Sequence, residues 1–165
     1  MRQISFKRLQ LEDLSVVKDI YNYYVNHSTA TFHTEDLKEE DLQTFLPIDN
    51  DRYPSYLIWE NDVVVGYMYL NFFKPRAAYD RTSELTVYLK KEAWGKGIGQ
   101  YALEFLENKA KEGGIIKVLM AVITGNNIGS IRLFEKHGYE KSAHLKQVGE
   151  KFGKILDVVI YQKNI

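Results

Sequence analysis

The sequence predicts a mixed α/β fold, a mostly antiparallel sheet with helices packed on its faces, and three features carry that expectation. Tyr56–Glu60 and Val63–Phe72 are strand-like runs separated only by Asn61-Asp62, a dipeptide that tolerates the left-handed conformations of a tight hairpin. Ser83 to Ile123 reads as strand, helix, strand, the order of a parallel crossover unit. The remaining apolar residues recur either at steps of two or at steps of three and four. A length of 165 residues with 45% hydrophobic residues suits one domain around a continuous core. Neither an internal repeat nor a low-complexity tract interrupts it.

From the N-terminus, Ile4–Arg8 is a first strand. Leu14, Val17, Tyr21, Tyr24 and Val25 then share one helical face, with Glu12 and Asp13 suited to its positive first turn. Leu37, Leu42, Phe45 and Leu46 predict a short second helix closed by Pro47. After the hairpin, Pro75 breaks the pattern and Ser83–Leu89 resumes it as a strand rich in Thr, Val and Tyr. Ile98, Tyr101, Ala102, Phe105, Leu106 and Ala110 place a helix up to Gly113-Gly114. Val118–Ile123 is a compact apolar strand, and Asn127 opens a last helix that ends near Gly138. Tyr139–Leu145 and Asp157–Gln162 close the fold as strands around a turn expected at Gly149–Gly153.

Composition narrows the function. Lys plus Arg and Asp plus Glu number 22 each, so there is no broad positive field for nucleic acid. With no cysteine, thiolate nucleophiles, disulfides and Cys-based metal sites are excluded, and a cytoplasmic location is expected. The N-terminus lacks the apolar run of a signal peptide, and Leu119–Ile123 is too short to span a bilayer, so a soluble protein is expected. His27, His33, His137 and His144 lack paired-ligand spacing, which argues against a metal. No Gly-x-Ser-x-Gly elbow offers a hydrolase nucleophile.

Gly95-Lys96-Gly97-Ile98-Gly99 falls between a predicted strand and a predicted helix, where free N–H groups and the helix dipole converge on a bound anion. The same glycines would also serve a tight chain reversal. Neither a Walker loop nor a dinucleotide fingerprint fits: no Lys-Ser or Lys-Thr follows, and Gln100 stands where the fingerprint requires glycine. Lys90, Lys91 and Lys96 add nearby positive charge.

At these residues the chain resembles the GNAT N-acetyltransferase superfamily, whose acetyl-CoA loop reads Gln or Arg, x, x, Gly, x, Gly or Ala; here it is Trp94-Gly95-Lys96-Gly97-Ile98-Gly99. Trp94 departs from the usual first residue. Ser28-Thr29-Ala30-Thr31-Phe32, Arg52-Tyr53-Pro54 and Arg76-Ala77-Ala78-Tyr79-Asp80-Arg81-Thr82-Ser83-Glu84 further resemble the phosphinothricin acetyltransferase branch, over nearly the whole chain. The resemblance implies a GNAT-like fold, acetyl-CoA as cosubstrate without a metal, a small-molecule amine as acceptor and a homodimer. It places backbone partners of the cofactor at Val87, Tyr88 and Leu89, and the pyrophosphate cradle at Gly95, Lys96, Gly97, Ile98, Gly99 and Gln100. Asn127 and Ser130 would face the pantetheine arm, although Asn127 is equally suited to a helix N-cap.

Acetyl transfer to an amine requires the neutral amine, yet a lysine-type amine has a pKa of about 10.4, so some group must accept a proton. Glu84 is that candidate by resemblance, and as an ordinary carboxylate it would need a raised pKa or a relaying water. A plain strand glutamate is the alternative. The superfamily's pattern Asn, x, x, Ala or Ser, then Tyr-Glu-Lys, runs here as Asn127, Ser130, Phe134-Glu135-Lys136, so Phe134 replaces the tyrosine that protonates the thiolate. The acceptor side is expected at Phe32, Arg76 and Tyr79, an arginine fork suiting a carboxylate or phosphinate, with core packing the alternative for the two aromatics. The branch's Gly, x, Trp, His, Asp segment reads Gly153-Lys154-Ile155-Leu156-Asp157, which points away from phosphinothricin itself and leaves a small amino acid or related amine. A non-catalytic acyl-CoA sensor and a peptide N-terminal acetyltransferase remain alternative readings.

Overall fold

Asn61 takes a left-handed conformation with φ of 54°, which turns Ser55–Glu60 (β2) back onto Val63–Phe72 (β3) as the dipeptide predicts. In the computed structural model, which describes residues 1–165, this hairpin sits inside a seven-stranded sheet of order β1-β2-β3-β4-β5-β7-β6. The other strands are Ile4–Arg8 (β1), Thr82–Leu89 (β4), Val118–Thr124 (β5), Glu140–Lys151 (β6) and Lys154–Asn164 (β7). Only β4 and β5 are parallel, joined by the helix Ile98–Gly113 (α3). Gly114, at φ of 73°, ends that helix as a left-handed cap. The other helices are Leu14–His27 (α1), Glu39–Leu42 (α2) and Ile128–Lys136 (α4).

Alternation along the strands builds a core on each face of the sheet. On one face Leu57, Tyr67 and Tyr69 pack with Leu14, Val17, Tyr21, Tyr24 and Val25 of α1, the stripe expected from the sequence, and with Leu42 of α2. On the other face Ile58, Met68, Leu70, Leu85, Leu119, Ala121 and Ile123 pack with Ile98, Ala102, Leu103, Leu106 and Ala110 of α3. Consecutive strand residues thus serve opposite cores.

Several expected details differ. Glu12 and Asp13 lie in a short 3₁₀ turn, Leu11–Asp13, that precedes α1. Leu37 lies before the second helix, which is a single turn. Tyr101 is exposed, and Leu103 occupies the core instead, because the helix presents Ala102, Leu103, Leu106 and Ala110 to the sheet. The closing hairpin is longer than expected, with Lys151 paired to Lys154 across a turn at Phe152-Gly153. Gly149 is therefore a strand residue. The Leu145/Gly149 stretch holds a register irregularity, where Gln147 takes φ of 56°. No helix is long and apolar enough to cross a membrane.

Candidate active site

The site begins with an incomplete strand pairing. β4 and β5 are matched only through Thr82, Ser83 and Glu84 against Val118, Leu119 and Met120. Beyond Glu84 the two strands part, although β3 follows β4 to Leu89 and β7 follows β5 to Thr124. Gly66 of β3 faces the end of β4, where a Cβ would overlap the Tyr88 carbonyl oxygen and press on the Leu89 side chain. Its absence lets the end of β4 lie close against β3. The wedge left between β4 and β5 opens a cavity of about 900 Å³ that passes from the α3 and α4 side of the sheet to the α1 side.

On the α3 side the cavity is walled by Gly95, Gly97, Gly99 and Gln100. Gly95 and Gly97 have φ of 72° and 77°, the left-handed region that favours glycine, and nothing lies within 4 Å of where a Cβ would be. Gly97 is the N-cap of α3 and offers no side chain to its first N–H groups. Successive amides beside a left-handed residue, at the positive end of a helix dipole, form a cradle for an anion of phosphate size.

Glu84 stands at the apex of the wedge, where pairing ends, and lines the same cavity. Burial raises its pKa above the ordinary carboxylate value, and the charge of Lys74 opposes that rise. Tyr69 pairs with Thr86 across the strands and lies close enough for the Glu84 charge to push the Tyr69 pKa up further, beyond the effect of burial. A half-buried carboxylate with a raised pKa is a stronger base than an ordinary one, which suits it to accept a proton.

The sequence signature described as "Acetyltransferase (GNAT) family" matches residues 17–139, a span that holds Glu84, the wedge and the glycine turn. The chain belongs to the acetyltransferase (GNAT) family. It is 33% identical to a phosphinothricin N-acetyltransferase of Streptomyces viridochromogenes, over 99% of this chain and 88% of that protein. It is 30% identical to an L-methionine sulfoximine/L-methionine sulfone acetyltransferase of Pseudomonas aeruginosa, over 98% of this chain and 94% of that protein. Among solved structures, a GNAT phosphinothricin acetyltransferase of Sinorhizobium meliloti in complex with AcCoA superposes with a TM-score of 0.90 at 30% identity, covering 98% of this chain and 88% of that one.

In this acetyltransferase the other expected residues fall into three groups. Val87, Tyr88, Leu89, Asn127 and Ser130 line the cavity with the glycine turn. Asn127 is also the N-cap of α4, its Oδ1 accepting the Ser130 N–H at 3.3 Å, the structural role the sequence offered for it. Ile98 and Lys96 are near but not on the wall: Ile98 is fully buried in the α3 core, and the exposed Lys96 lies 3.8 Å from the half-buried Glu60. Phe32, Arg76 and Tyr79 are exposed and also lie off the wall, with Tyr79 packed edge-on against Phe73 at 5.8 Å.

The wall itself includes residues that the sequence did not mark as part of a site. Tyr21, Tyr24, His33, Phe45, Tyr69, Thr86, Thr124 and Asn126 come from five separate stretches of chain. Thr86 alone had a signal, since it follows Glu84 by two positions and shares its face of the strand. The Tyr21 hydroxyl lies 2.5 Å from both Thr31 Oγ1 and His33 Nδ1, linking the α1 core to the loop beyond it. Trp94, the departure from the family pattern, donates its indole N–H to the Tyr24 hydroxyl at 3.0 Å and the Leu89 carbonyl at 3.2 Å, and the Tyr24 hydroxyl donates to the same carbonyl. Trp94 thereby ties α1, the end of β4 and the glycine turn together. Phe134 is buried against Tyr139 with ring centroids 4.9 Å apart, and supplies no proton donor at the position of the family tyrosine.

Proposed function

We propose that this acetyltransferase moves the acetyl group of acetyl-CoA to the primary amine of a small acceptor, an amino acid or an analogue of the phosphinothricin or methionine sulfoximine type. One observation supports this reading above the others: the carboxylate Glu84 and the anion cradle of Gly95–Gln100 open onto one continuous cavity through the sheet. The cradle would take the pyrophosphate, and the unpaired edge of β4 would receive the pantetheine amides as an added strand. Bound acetyl-CoA supplies a thioester carbonyl and a thiol leaving group. Glu84, reached from the α1 side, would accept the proton that the incoming ammonium must lose, directly or through water. The acceptor attacks within a ternary complex, since the chain has no cysteine to carry an acetyl group. With Phe134 in place of a tyrosine, departure relies on the thiolate itself, whose thiol has a pKa of about 8.5.

The lack of cysteine supports a cytoplasmic setting. The homodimer expected by resemblance finds support in exposed apolar residues on the closing hairpin, namely Leu145, Val148, Phe152 and Ile155. The test of function is release of free CoA in the presence of amino acids, methionine sulfoximine and sulfone, phosphinothricin, polyamines and peptides. Turnover is expected with small amino acids or their analogues. Turnover confined to peptides, or acetyl-CoA binding with no turnover on any acceptor, would overturn the proposal.

A further inference from the structure

Ser28, Thr29, Ala30 and His33, from the loop that follows α1, line the acceptor-side opening of the cavity. That loop is held from far along the chain. Lys151, the last residue of β6, is only 3% exposed. Its ammonium donates to the main-chain carbonyls of Ser28 at 2.7 Å, Thr31 at 2.8 Å and Tyr24 at 3.4 Å. Three protons thus meet three acceptors at the C-terminal end of α1, where the helix dipole favours a cation. Two residues earlier, Gly149 receives the ring of Phe32 so closely that a Cβ would lie 2.5 Å from Phe32 Cε2 and 2.9 Å from Cζ. Glycine is required there by proximity, since its φ is not in the left-handed region.

A second set of contacts comes from the end of β5. Thr124 Oγ1 donates to the Thr29 carbonyl at 2.6 Å, and Thr29 Oγ1 donates to Asn126 Oδ1 at 3.0 Å. α1 does not need these fastenings, because Leu14, Val17, Tyr21 and Val25 already bury it against the sheet. A buried ammonium held by neutral carbonyls and the face of the Phe152 ring 5.1 Å away, with no carboxylate partner, is a costly way to gain stability, and an apolar side chain of similar volume is often no worse. What the contacts fix is the position of the loop that forms the cavity wall.

We propose that Lys151 and Gly149 are positioning residues that dock the Ser28–His33 loop on β6 and thereby set which amines fit the acceptor side. This rests on the acetyl-transfer reading above. The test uses two separate variants of the full chain, Lys151→Met and Gly149→Ala. In each, KM for the preferred acceptor rises by about tenfold and the ranking of acceptors by side-chain size changes, while acetyl-CoA affinity measured by calorimetry is unchanged. Hydrogen exchange accelerates at the Ser28–His33 amides and not in α3. Folded variants with unaltered acceptor KM and ranking, or with acetyl-CoA affinity falling in step with acceptor affinity, overturn the proposal. Should Lys151→Met fail to fold, Gly149→Ala decides alone, since it displaces Phe32 without touching a charge. Should the wild-type enzyme acetylate no acceptor, the acetyl-transfer reading fails by itself, and hydrogen exchange at Ser28–His33 still confirms or refutes the docking.

Discussion

As the proposed base, Glu84 must be ionised to take a proton, yet its position at the apex of the wedge raises its pKa by burial, with Lys74 opposing the rise. The acid limb of kcat/KM is therefore expected at a pH above the ordinary value of 4.5. Lys74→Met should move that limb further up, because it removes the opposing charge, and Glu84→Gln should remove most turnover while acetyl-CoA still binds. An unmoved limb in Lys74→Met would show that this lysine does not act on the base. Stability carries the opposite sign. A carboxyl whose folded pKa is raised contributes stability below its unfolded pKa, and loses it as pH rises through the folded value. Glu84→Gln should accordingly unfold at higher denaturant concentration than wild type at neutral pH. At this scale the sequence was partly legible. Glu84 could be chosen only because a family pattern singled it out, whereas Tyr21, His33 and Tyr69 reach the cavity from separate elements and carry no local pattern that announces them.

Among the elements, the glycine turn shows how one motif combines different physical needs. Gly97 has φ of 77° and open space around its missing Cβ, whereas Gly99 has ordinary helical backbone and a Cβ there would lie 3.2 Å from Leu133 Cδ2. Gly97→Ala is thus a backbone problem, expected to cost about 1–2 kcal/mol and to weaken acetyl-CoA binding. Gly99→Ala meets the end of a flexible side chain and gains up to about 1 kcal/mol of helix propensity, so the two effects largely cancel in stability. Denaturant midpoints and acetyl-CoA titration on both variants check this contrast, and equal losses at the two positions would contradict it. The same distinction explains the misplaced closing turn. Gly149 looked like a turn residue, but it is a contact glycine under Phe32, while Gln147 and Phe152 take positive φ without being glycine. Sequence marks where glycines are, and only packing shows which of them turn the chain.

For the whole molecule, the mixed sheet could be read in advance from the order of strands and helices, but the one continuous core expected is in fact two, one on each face of the sheet, and β7 lies between β5 and β6 out of chain order. The wedge could not be read in advance, because it depends on where β4 and β5 stop pairing, a property of register across strands more than thirty positions apart. The largest expectation still to be measured also belongs to this scale. β6 is the last strand of the sheet, and the hairpin it forms with β7 leaves Leu145, Val148, Phe152 and Ile155 between 45% and 58% exposed. An edge strand with several large apolar side chains in water invites association, and a pairing of two like hairpins would close the assembly with a twofold axis. Equilibrium sedimentation is expected to return about twice the chain mass of 19.2 kDa. Val148→Asp, a charge placed among those apolar residues, should shift the mass toward the single chain. A wild-type mass of 19.2 kDa at concentrations used for assay would exclude the dimer.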